Sequence, residues 1–343
     1  MKRLESIQIM RGIAATMVMI HHFTYANPGF AASFPAFTAL FQYFSLGVWM
    51  FFVISGFVIP YAMYSIDYQI STDAWRFFLR RLVRLEPTYI VSVLVAFALT
   101  FAAARTPDYG GPPEPSLRDF LLQFLYLSQW FHIPWLIDPA WTLAIEFQFY
   151  LFMLLAAPLL LSRSLPITIA FFAAVLVMSL LVTDERALFH YLPCFAIGFA
   201  AFLFHVKRIG FSVLLALCLL CSIFTSLASG TAVAVAAAIS AALLFTPVYR
   251  AVPILSFLGT ISYSLYLVHT LVGVRIVNLA MRTSSQWIQL AGLALAIIAS
   301  LSAAIALWYF IERPSHLQAR IIKRRPSLAA APSTVVLDEV PPS

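Results

Sequence analysis

The chain has 343 residues, of which 62% are hydrophobic and only 10% are charged. A soluble domain carries about 25% charged residues, so this composition excludes an ordinary soluble protein and indicates one surrounded by lipid. The net charge of +7 looks basic. However, the lysines and arginines lie in short loops between apolar runs, which is typical of membrane orientation signals, so no nucleic-acid partner is expected.

The apolar runs are the predicted transmembrane helices, because a span needs about 20 apolar residues. The opening residues "MKRLESIQIM" lack a small-residue cleavage site, so we expect the first run to be retained as span one. A further stretch, 120–136, is marginal in length and interrupted by polar residues, and it is predicted to be re-entrant or interfacial. The ten predicted spans lie near residues 7–26, 38–62, 87–104, 140–162, 166–183, 187–205, 210–228, 231–249, 254–281 and 287–311.

The charges of the loops orient this bundle. With ten spans and a cytoplasmic N-terminus, fifteen of the 21 lysines and arginines fall on the cytoplasmic side and four outside, while Arg11 and Arg275 fall within spans. Cytoplasmic loops carry the basic excess, so both termini are predicted to be cytoplasmic. If 120–136 spanned the membrane, later loops would invert and the bias would collapse.

The sequence therefore predicts an all-α polytopic membrane protein with about ten helices in one bundle. The membrane domain is expected to cover residues 1–314. Residues 315–343 contain a basic cluster followed by a segment with few residues to bury, so they are predicted to form a disordered cytoplasmic tail.

Ionisable side chains lie inside three predicted spans. In span one, Arg11 lies near the cytoplasm and His22 lies about 16 Å further along the helix, on the same face. Glu146 enters span four from the outside, and His269 lies past the middle of span nine. Because ionisable groups are costly in hydrocarbon, these three groups of similar depth, His22, Glu146 and His269, are predicted to move protons, coordinate ions or bind a polar substrate.

Each assignment has an alternative. His21 points about 100° away from His22 on the helix, so a packed core residue is the preferred interpretation. Glu146 would also serve to hold helices together. A secondary transporter with intramembrane Glu/His proton coupling is the alternative function, although the sequence lacks the matching halves common in transporters.

Arginines recur every four residues after span two, in "RFFLRRLVRLEPTY". Arg76, Arg80 and Arg84 share one helical face, and Arg81 lies beside them. Two interpretations remain open: binding of lipid phosphates, or docking of a multiply phosphorylated cytoplasmic ligand, for which the donor fork of arginine is well suited.

Several motifs in sequence order resemble the integral-membrane acyltransferase-3 family, which O-acylates polysaccharides, lipopolysaccharides and some antibiotics. The matching segments extend from residue 11 to residue 314. They are "RGIAATMVMIHHF", "GVWMFFVISGFVI", "RRLVRLEPTY", "WTLAIEFQFY", "LGTISYSLYLVH" and "ERP".

The resemblance implies residue roles. The essential first-span arginine and histidine of the family look like Arg11 and His22, while Glu146 and His269 match its span-four glutamate and late histidine. Many members carry an acidic residue where this chain has Trp49, so no role of that acid transfers. The predicted site residues therefore fall into three roles. The catalytic residues are His22, Glu146 and Arg11, the substrate-binding residues are His269, Tyr150 and Trp141, and the cofactor-binding residues are Arg80, Arg81 and Arg84.

The implied reaction moves an acyl group, most simply acetyl, from acyl-CoA to a hydroxyl of an envelope or secreted carbohydrate or a glycosylated metabolite. His22 is the predicted general base, a role worth about 10²–10⁴-fold in rate, and Glu146 is expected to orient it as in a triad. For the oxyanion, Arg11, His269 and backbone amides near "ISGF" remain alternatives. Acyl-CoA, a carbohydrate and the lipid bilayer of the bacterial inner membrane are the expected partners. No permanently bound cofactor and no metal are expected, and the oligomeric state is left open.

Overall fold

A computed structural model describes residues 2–105, 114–162, 164–245 and 252–322, and within these ranges the regular structure is entirely helical. Short 3₁₀ turns occupy Gln42–Leu46 and Ser128–Phe131, and π-helical turns occupy Thr270–Val274 and Trp308–Glu312. The α-helices are α1 (Lys2–Phe23), α2 (Pro28–Ser33), α3 (Pro35–Ala39), α4 (Gly47–Tyr64), α5 (Ile70–Ala103), α6 (Leu117–Phe124), α7 (Ala140–Leu160), α8 (Leu165–Leu181), α9 (Leu188–His205), α10 (Phe211–Ser229), α11 (Thr231–Phe245), α12 (Pro253–Thr260), α13 (Ser262–His269), α14 (Arg275–Ala280), α15 (Gln286–Leu307) and α16 (Arg313–Ile321).

Among the described residues, seven helical segments are long and apolar enough to cross a membrane, and α8 and α11 are shorter apolar helices. The prediction of an all-α polytopic membrane protein is therefore confirmed. The count of ten spans and the cytoplasmic side of both termini stay predictions.

Helix α5 is longer than the sequence indicated, since it joins the predicted arginine loop to the predicted span 87–104 in one 34-residue helix. The proline inside it, Pro87, does not end the helix. In a membrane protein, neighbouring helices and side chains can satisfy the backbone groups that a proline frees. The arginines therefore extend from the same rigid helix as the span.

Helix α16 begins before the predicted domain boundary at residue 314, continues to Ile321 and packs against α5, while the boundary itself stays a prediction. The π-helical turn before α16 ends at Glu312, whose buried carboxylate accepts hydrogen bonds from the backbone N–H and hydroxyl of Ser264. These contacts anchor the last helix, so residues 315–322 are folded. The rest of the predicted tail lies outside the described residues.

The stretch 120–136 does not cross the membrane as a helix. Helix α6 has only eight residues, too few for a span. The buried Gln123 side chain donates to the carbonyl oxygen of Pro134 and accepts from the backbone N–H of Leu136. These hydrogen bonds fold the segment back on itself.

Helices α4 and α9 cross at two glycines. A Cβ atom at Gly56 would overlap the carbonyl oxygen of Phe195, and one at Gly198 would overlap that of Val53. Such a close approach of backbones is the usual use of glycine between membrane helices. This close packing against α9 fixes the position of α4, the helix that carries Ser55 of the site described below.

Replacing Gly198 with alanine is expected to destabilise the folded protein, since overpacking costs typically about 1–3 kcal/mol and here the overlap is with backbone. Thermal unfolding of detergent-solubilised protein would measure the effect. Gly210→Ala is the matched control, because a Cβ there meets nothing within 4 Å. Equal melting temperatures for the two variants would contradict the close crossing.

Candidate active site

A strongly basic cavity of about 400 Å³ lies between the first half of α5 and parts of α1 and α16. One acidic side chain, Asp73, also lines it, but that carboxylate is buried and accepts a hydrogen bond from the backbone N–H of Gln69. This excess of positive charge suits a multiply anionic ligand. The arginines that line the cavity are Arg11, Arg76, Arg80, Arg81, Arg84 and Arg320.

Helix α16 fixes two of the predicted donor-binding arginines. Arg80 donates from Nε to the carbonyl oxygen of Ala319 at 3.2 Å, and Arg84 donates from Nε to Nε2 of His316 at 3.2 Å. Arginine has no acceptor, so His316 must accept through an unprotonated Nε2. Most of α16, the helix that binds these two guanidinium groups, thus belongs to the segment that was predicted to be a disordered tail.

A second cavity of about 150 Å³ lies deeper in the bundle. It shares Arg11, Arg81 and Arg84 with the basic cavity, so the two adjoin. The predicted site residues Glu146 and Tyr150 also line it, and most of its remaining wall is apolar.

Hydrogen bonds hold Glu146 in this inner cavity. Oε1 accepts from the hydroxyl of Ser55 at 2.8 Å and from the hydroxyl of Tyr150 at 2.5 Å. The guanidinium of Arg81 lies 5.0 Å from the centre of the Tyr150 ring, within cation–π range. Glu146, Tyr150 and Arg81 therefore form one connected polar group beside the apolar wall.

The segment "ISGF" lies inside the unbroken helix α4. Backbone N–H groups in a helix interior are bonded to the carbonyl four residues earlier. The sequence-based option that amides near "ISGF" bind the oxyanion is therefore wrong. Ser55 contributes its side chain instead.

His22 lies outside both cavities and contacts a different set of residues. Its Nδ1 is 2.8 Å from the carbonyl oxygen of Val18 and 3.3 Å from Nε2 of His269. Its Nε2 is 3.1 Å from Oδ2 of Asp138. The side chain of His22 is 17% exposed and that of Asp138 is 77% exposed, so the group opens at the predicted outer face.

The hydrogen-bond partners assign the tautomer of His269. Its Nδ1 lies 3.0 Å from the carbonyl oxygen of Leu265, so Nδ1 carries the hydrogen and Nε2 accepts. His22 donates to that Nε2 from its own Nδ1. The fully buried His269 thus orients His22, and its predicted contact with substrate stays a prediction.

The structure does not bring Glu146 to His22, although the two residues have similar predicted depth. Glu146 lines the inner cavity, and His22 does not. Thr142, one helical turn before Glu146, lines the same cavity and contacts Tyr266. Its hydroxyl is 2.7 Å from the hydroxyl of Tyr266, and the Tyr266 ring lies 6.0 Å from the His269 ring. We call the Thr142–Tyr266 contact the partition, since both residues line the inner cavity and the Tyr266 ring also faces His269.

The remaining predicted residues are placed as follows. Trp141 is partly buried against Tyr191, with ring centres 5.8 Å apart, and it lines neither cavity described above. His21 donates from Nδ1 to the carbonyl oxygen of Phe41 and stacks on Tyr25. These contacts favour a structural role for His21, as the helical geometry suggested.

Asp138 is not among the site residues predicted from the sequence, since the predicted catalytic residues all lie inside spans. It directly precedes α7 and is exposed, at the end of the bundle that is predicted to face outward. The hydrogen bond from His22 holds the pKa of Asp138 below its usual value. The carboxylate is therefore ionised at neutral pH, and its contact with His22 is lost only as the pH falls through this lowered pKa. The signal in the sequence was an acidic residue in "IDPAW", directly before the span that carries the predicted catalytic residue Glu146.

Glu146→Gln tests the separation of Glu146 from His22. Because the carboxylate does not touch His22, its removal is expected to lower kcat by less than about 10²-fold, below the lower end of a general-base effect, and to raise KM for acyl-CoA. Steady-state kinetics on purified protein would measure both constants. A loss of kcat as large as that of His22→Ala, with an unchanged KM, would show that the two side chains work together.

Comparison with known proteins identifies the family. The acyltransferase-3 profile, described as an acyltransferase domain, matches residues 4–311. Acyltransferase MdmB of Streptomyces mycarofaciens is 34% identical over 157 residues, which are 43% of this chain and 38% of MdmB. O-acetyltransferase OatA of Staphylococcus aureus strain NCTC 8325 / PS 47 is 36% identical over 133 residues, which are 35% of this chain and 21% of OatA.

These matches cover less than two thirds of either relative, and no solved structure matches the chain. The family profile, in contrast, covers nearly the whole sequence. The protein therefore belongs to the acyltransferase-3 family.

Proposed function

We propose that this protein is a membrane O-acyltransferase that moves an acetyl group from acetyl-CoA on the cytoplasmic side to a carbohydrate hydroxyl on the outer side. Family membership and the names of the two relatives support acyl transfer. The observation that carries the proposal is the adjoining pair of cavities. The basic cavity of the pair is lined by six arginines, and the inner one ends at the Thr142–Tyr266 partition, beyond which we place His22.

The basic cavity is the proposed site for the phosphates of CoA. Phosphate groups and guanidinium groups form charge-assisted, often bidentate hydrogen bonds. Arg81, Arg84 and Arg11 line both cavities, so they suit the part of the donor where the phosphates end and the thiol arm begins. The thioester then lies in the inner cavity near Glu146 and Tyr150.

His22 is the proposed general base, and the geometry selects its nitrogen. Nδ1 is held by protein groups on both sides, at Val18 and His269, which leaves Nε2 to take a proton. Because Nε2 turns toward exposed Asp138, the acceptor hydroxyl approaches from the predicted outer side.

The proposed step balances as an ordinary acyl transfer. The hydroxyl proton moves to Nε2, the hydroxyl oxygen bonds to the thioester carbon, and the carbon–sulfur bond breaks. The leaving thiolate takes the proton from Nε2. Thioester and hydroxyl meet when the Tyr266 side chain leaves Thr142, and the freed Tyr266 hydroxyl is placed to donate to the oxyanion.

Arg11 is too far from His22 to bind this oxyanion, because eleven residues of helix separate them by about 16 Å. We propose donor binding as its role. The acceptor is a carbohydrate of the envelope or a secreted glycoside, and the membrane is the bacterial inner membrane, as befits a multi-pass protein with bacterial relatives.

Mass analysis of cells with and without the gene tests the proposal. Envelope polysaccharide, secreted oligosaccharides and glycosylated metabolites would each be compared for ester-linked acyl groups. We expect one class to lose a mass increment equal to one acyl group when the gene is deleted and to regain it on complementation. Identical spectra in all three classes, with the protein present in the membrane, would contradict the proposed function.

A further inference from the structure

Both ring nitrogens of His22 face hydrogen-bond acceptors. The carbonyl oxygen of Val18 can only accept, so Nδ1 of His22 carries a hydrogen. An ionised carboxylate also only accepts, yet Oδ2 of Asp138 lies 3.1 Å from Nε2. One proton therefore lies between Nε2 and Oδ2, whichever of the two atoms holds it.

This proton blocks the nitrogen that the proposed reaction uses, so it must leave before each acyl transfer. Three titratable side chains face His22: Asp138, His269 and His21. His269 is fully buried, and Nδ1 of His21 is bonded to the carbonyl oxygen of Phe41. Asp138, at 77% exposure, gives the proton a direct route to water.

Capping of the next helix does not explain Asp138. It directly precedes α7, but the N-cap residue is Pro139 and no side-chain hydrogen bond caps that helix. Among the described residues, His22 is the hydrogen-bond partner of the Asp138 carboxylate. The carboxylate is therefore directed at the imidazole, although it is exposed and water could solvate it.

We propose that Asp138 is a positioning residue for acyl transfer, which holds Nε2 of His22 toward the outer face and passes the Nε2 proton to and from the outer water. The inference rests on the proposed function and adds a residue to its site. When the acceptor enters, its hydroxyl replaces the carboxylate at Nε2. After transfer, the proton that Nε2 took from the acceptor hydroxyl moves to the departing thiolate. A new proton from water then re-forms the hydrogen bond between Nε2 and Asp138.

The test uses right-side-out membrane vesicles that contain the full-length protein and the native envelope carbohydrate. The vesicles are loaded with radiolabelled acetyl-CoA, and the label that reaches the carbohydrate is counted. The variants are Asp138→Ala, Asp138→Asn and Asp138→Glu. The matched control is Asp184→Ala, which removes another outer-side carboxylate that bonds Arg186 and does not contact His22.

For Asp138→Ala and Asp138→Asn we expect transfer to fall, by up to about 10⁴-fold, the loss seen when a triad histidine loses its carboxylate. KM for acetyl-CoA should stay unchanged, because the donor cavity is elsewhere. Sodium formate added outside should partly restore Asp138→Ala, since a small carboxylate can occupy the exposed space. Asp138→Glu should retain more activity than Asp138→Asn, and Asp184→Ala should behave as wild type with or without formate.

Wild-type transfer by Asp138→Asn would overturn the inference, as would a loss in Asp138→Ala that formate leaves unchanged. A purely structural role would not produce rescue by formate, so a folding defect and a positioning role give different results. Wild-type vesicles that label no carbohydrate would instead reject the proposed function, which is a separate outcome.

Discussion

Replacing His22 with alanine is expected to lower acyl transfer by about 10²–10⁴-fold, the usual contribution of a general base, while the amount of protein in the membrane stays normal. The alcohol of a carbohydrate is a poor nucleophile near neutral pH, so it needs a group that takes its proton in the transition state. His22 offers Nε2 for this task, because Val18 and His269 occupy Nδ1. The rate of labelled acetyl transfer at saturating acetyl-CoA is the measurement.

His21→Ala is the matched control, since the two histidines are neighbours on α1. His21 bonds to the backbone of Phe41 and stacks on Tyr25, away from the proposed reaction. We expect its kcat to stay within a few-fold of wild type, about the effect of a 1 kcal/mol change. If His22→Ala kept wild-type kcat, or if the His21 variant lost as much, His22 would not be the base.

Replacing Arg81 with glutamine is expected to raise KM for acetyl-CoA by roughly 10- to 150-fold, because a hydrogen bond to a charged group contributes about 1.5–3 kcal/mol. Arg81 lines both cavities and lies against Tyr150. In the proposed path the reaction takes place beyond the Thr142–Tyr266 partition, so kcat should change much less. Steady-state kinetics with purified protein would separate the two constants, and added salt should weaken donor binding to the wild type more than to the variant.

Arg105→Gln is the control for the loss of one positive charge, since Arg105 pairs with Glu114 and lines neither cavity. Adding Arg84→Gln to Arg81→Gln should raise KM further. If the double variant altered only the membrane level or orientation of the protein, the arginines would serve as lipid anchors, and acyl-CoA would have to bind elsewhere.

The sequence predicted the fold class because hydrophobicity and loop charge act over whole segments and do not depend on packing details. It also predicted that His22 and His269 belong to one site, because depth along a helix follows from residue spacing. Depth does not fix rotation about the helix axis. Glu146 therefore lines the inner cavity while His22 lies outside it, and only the packed structure reveals the Thr142–Tyr266 contact in the wall of that cavity.

Other parts of the site could not be read from local patterns. The continuity of α5 through Pro87 and the folding of α16 depend on contacts between distant segments, such as Arg80 with Ala319. Asp138 lies outside any span, where an acidic residue is unremarkable in isolation. Its proposed role rests on the 3.1 Å contact with His22, which is 116 positions away in the chain.

The central claim is that the acetyl group passes through the bundle from one membrane face to the other. Supplying acetyl-CoA to one face at a time tests this claim most directly. Purified protein would be reconstituted in sealed vesicles of known orientation with the carbohydrate identified by mass analysis, and labelled acetyl-CoA would be supplied to one face at a time. The account predicts that label reaches carbohydrate on the His22–Asp138 face only when acetyl-CoA is on the arginine face. Equal labelling with donor and carbohydrate both on the His22–Asp138 face would contradict a path through the bundle.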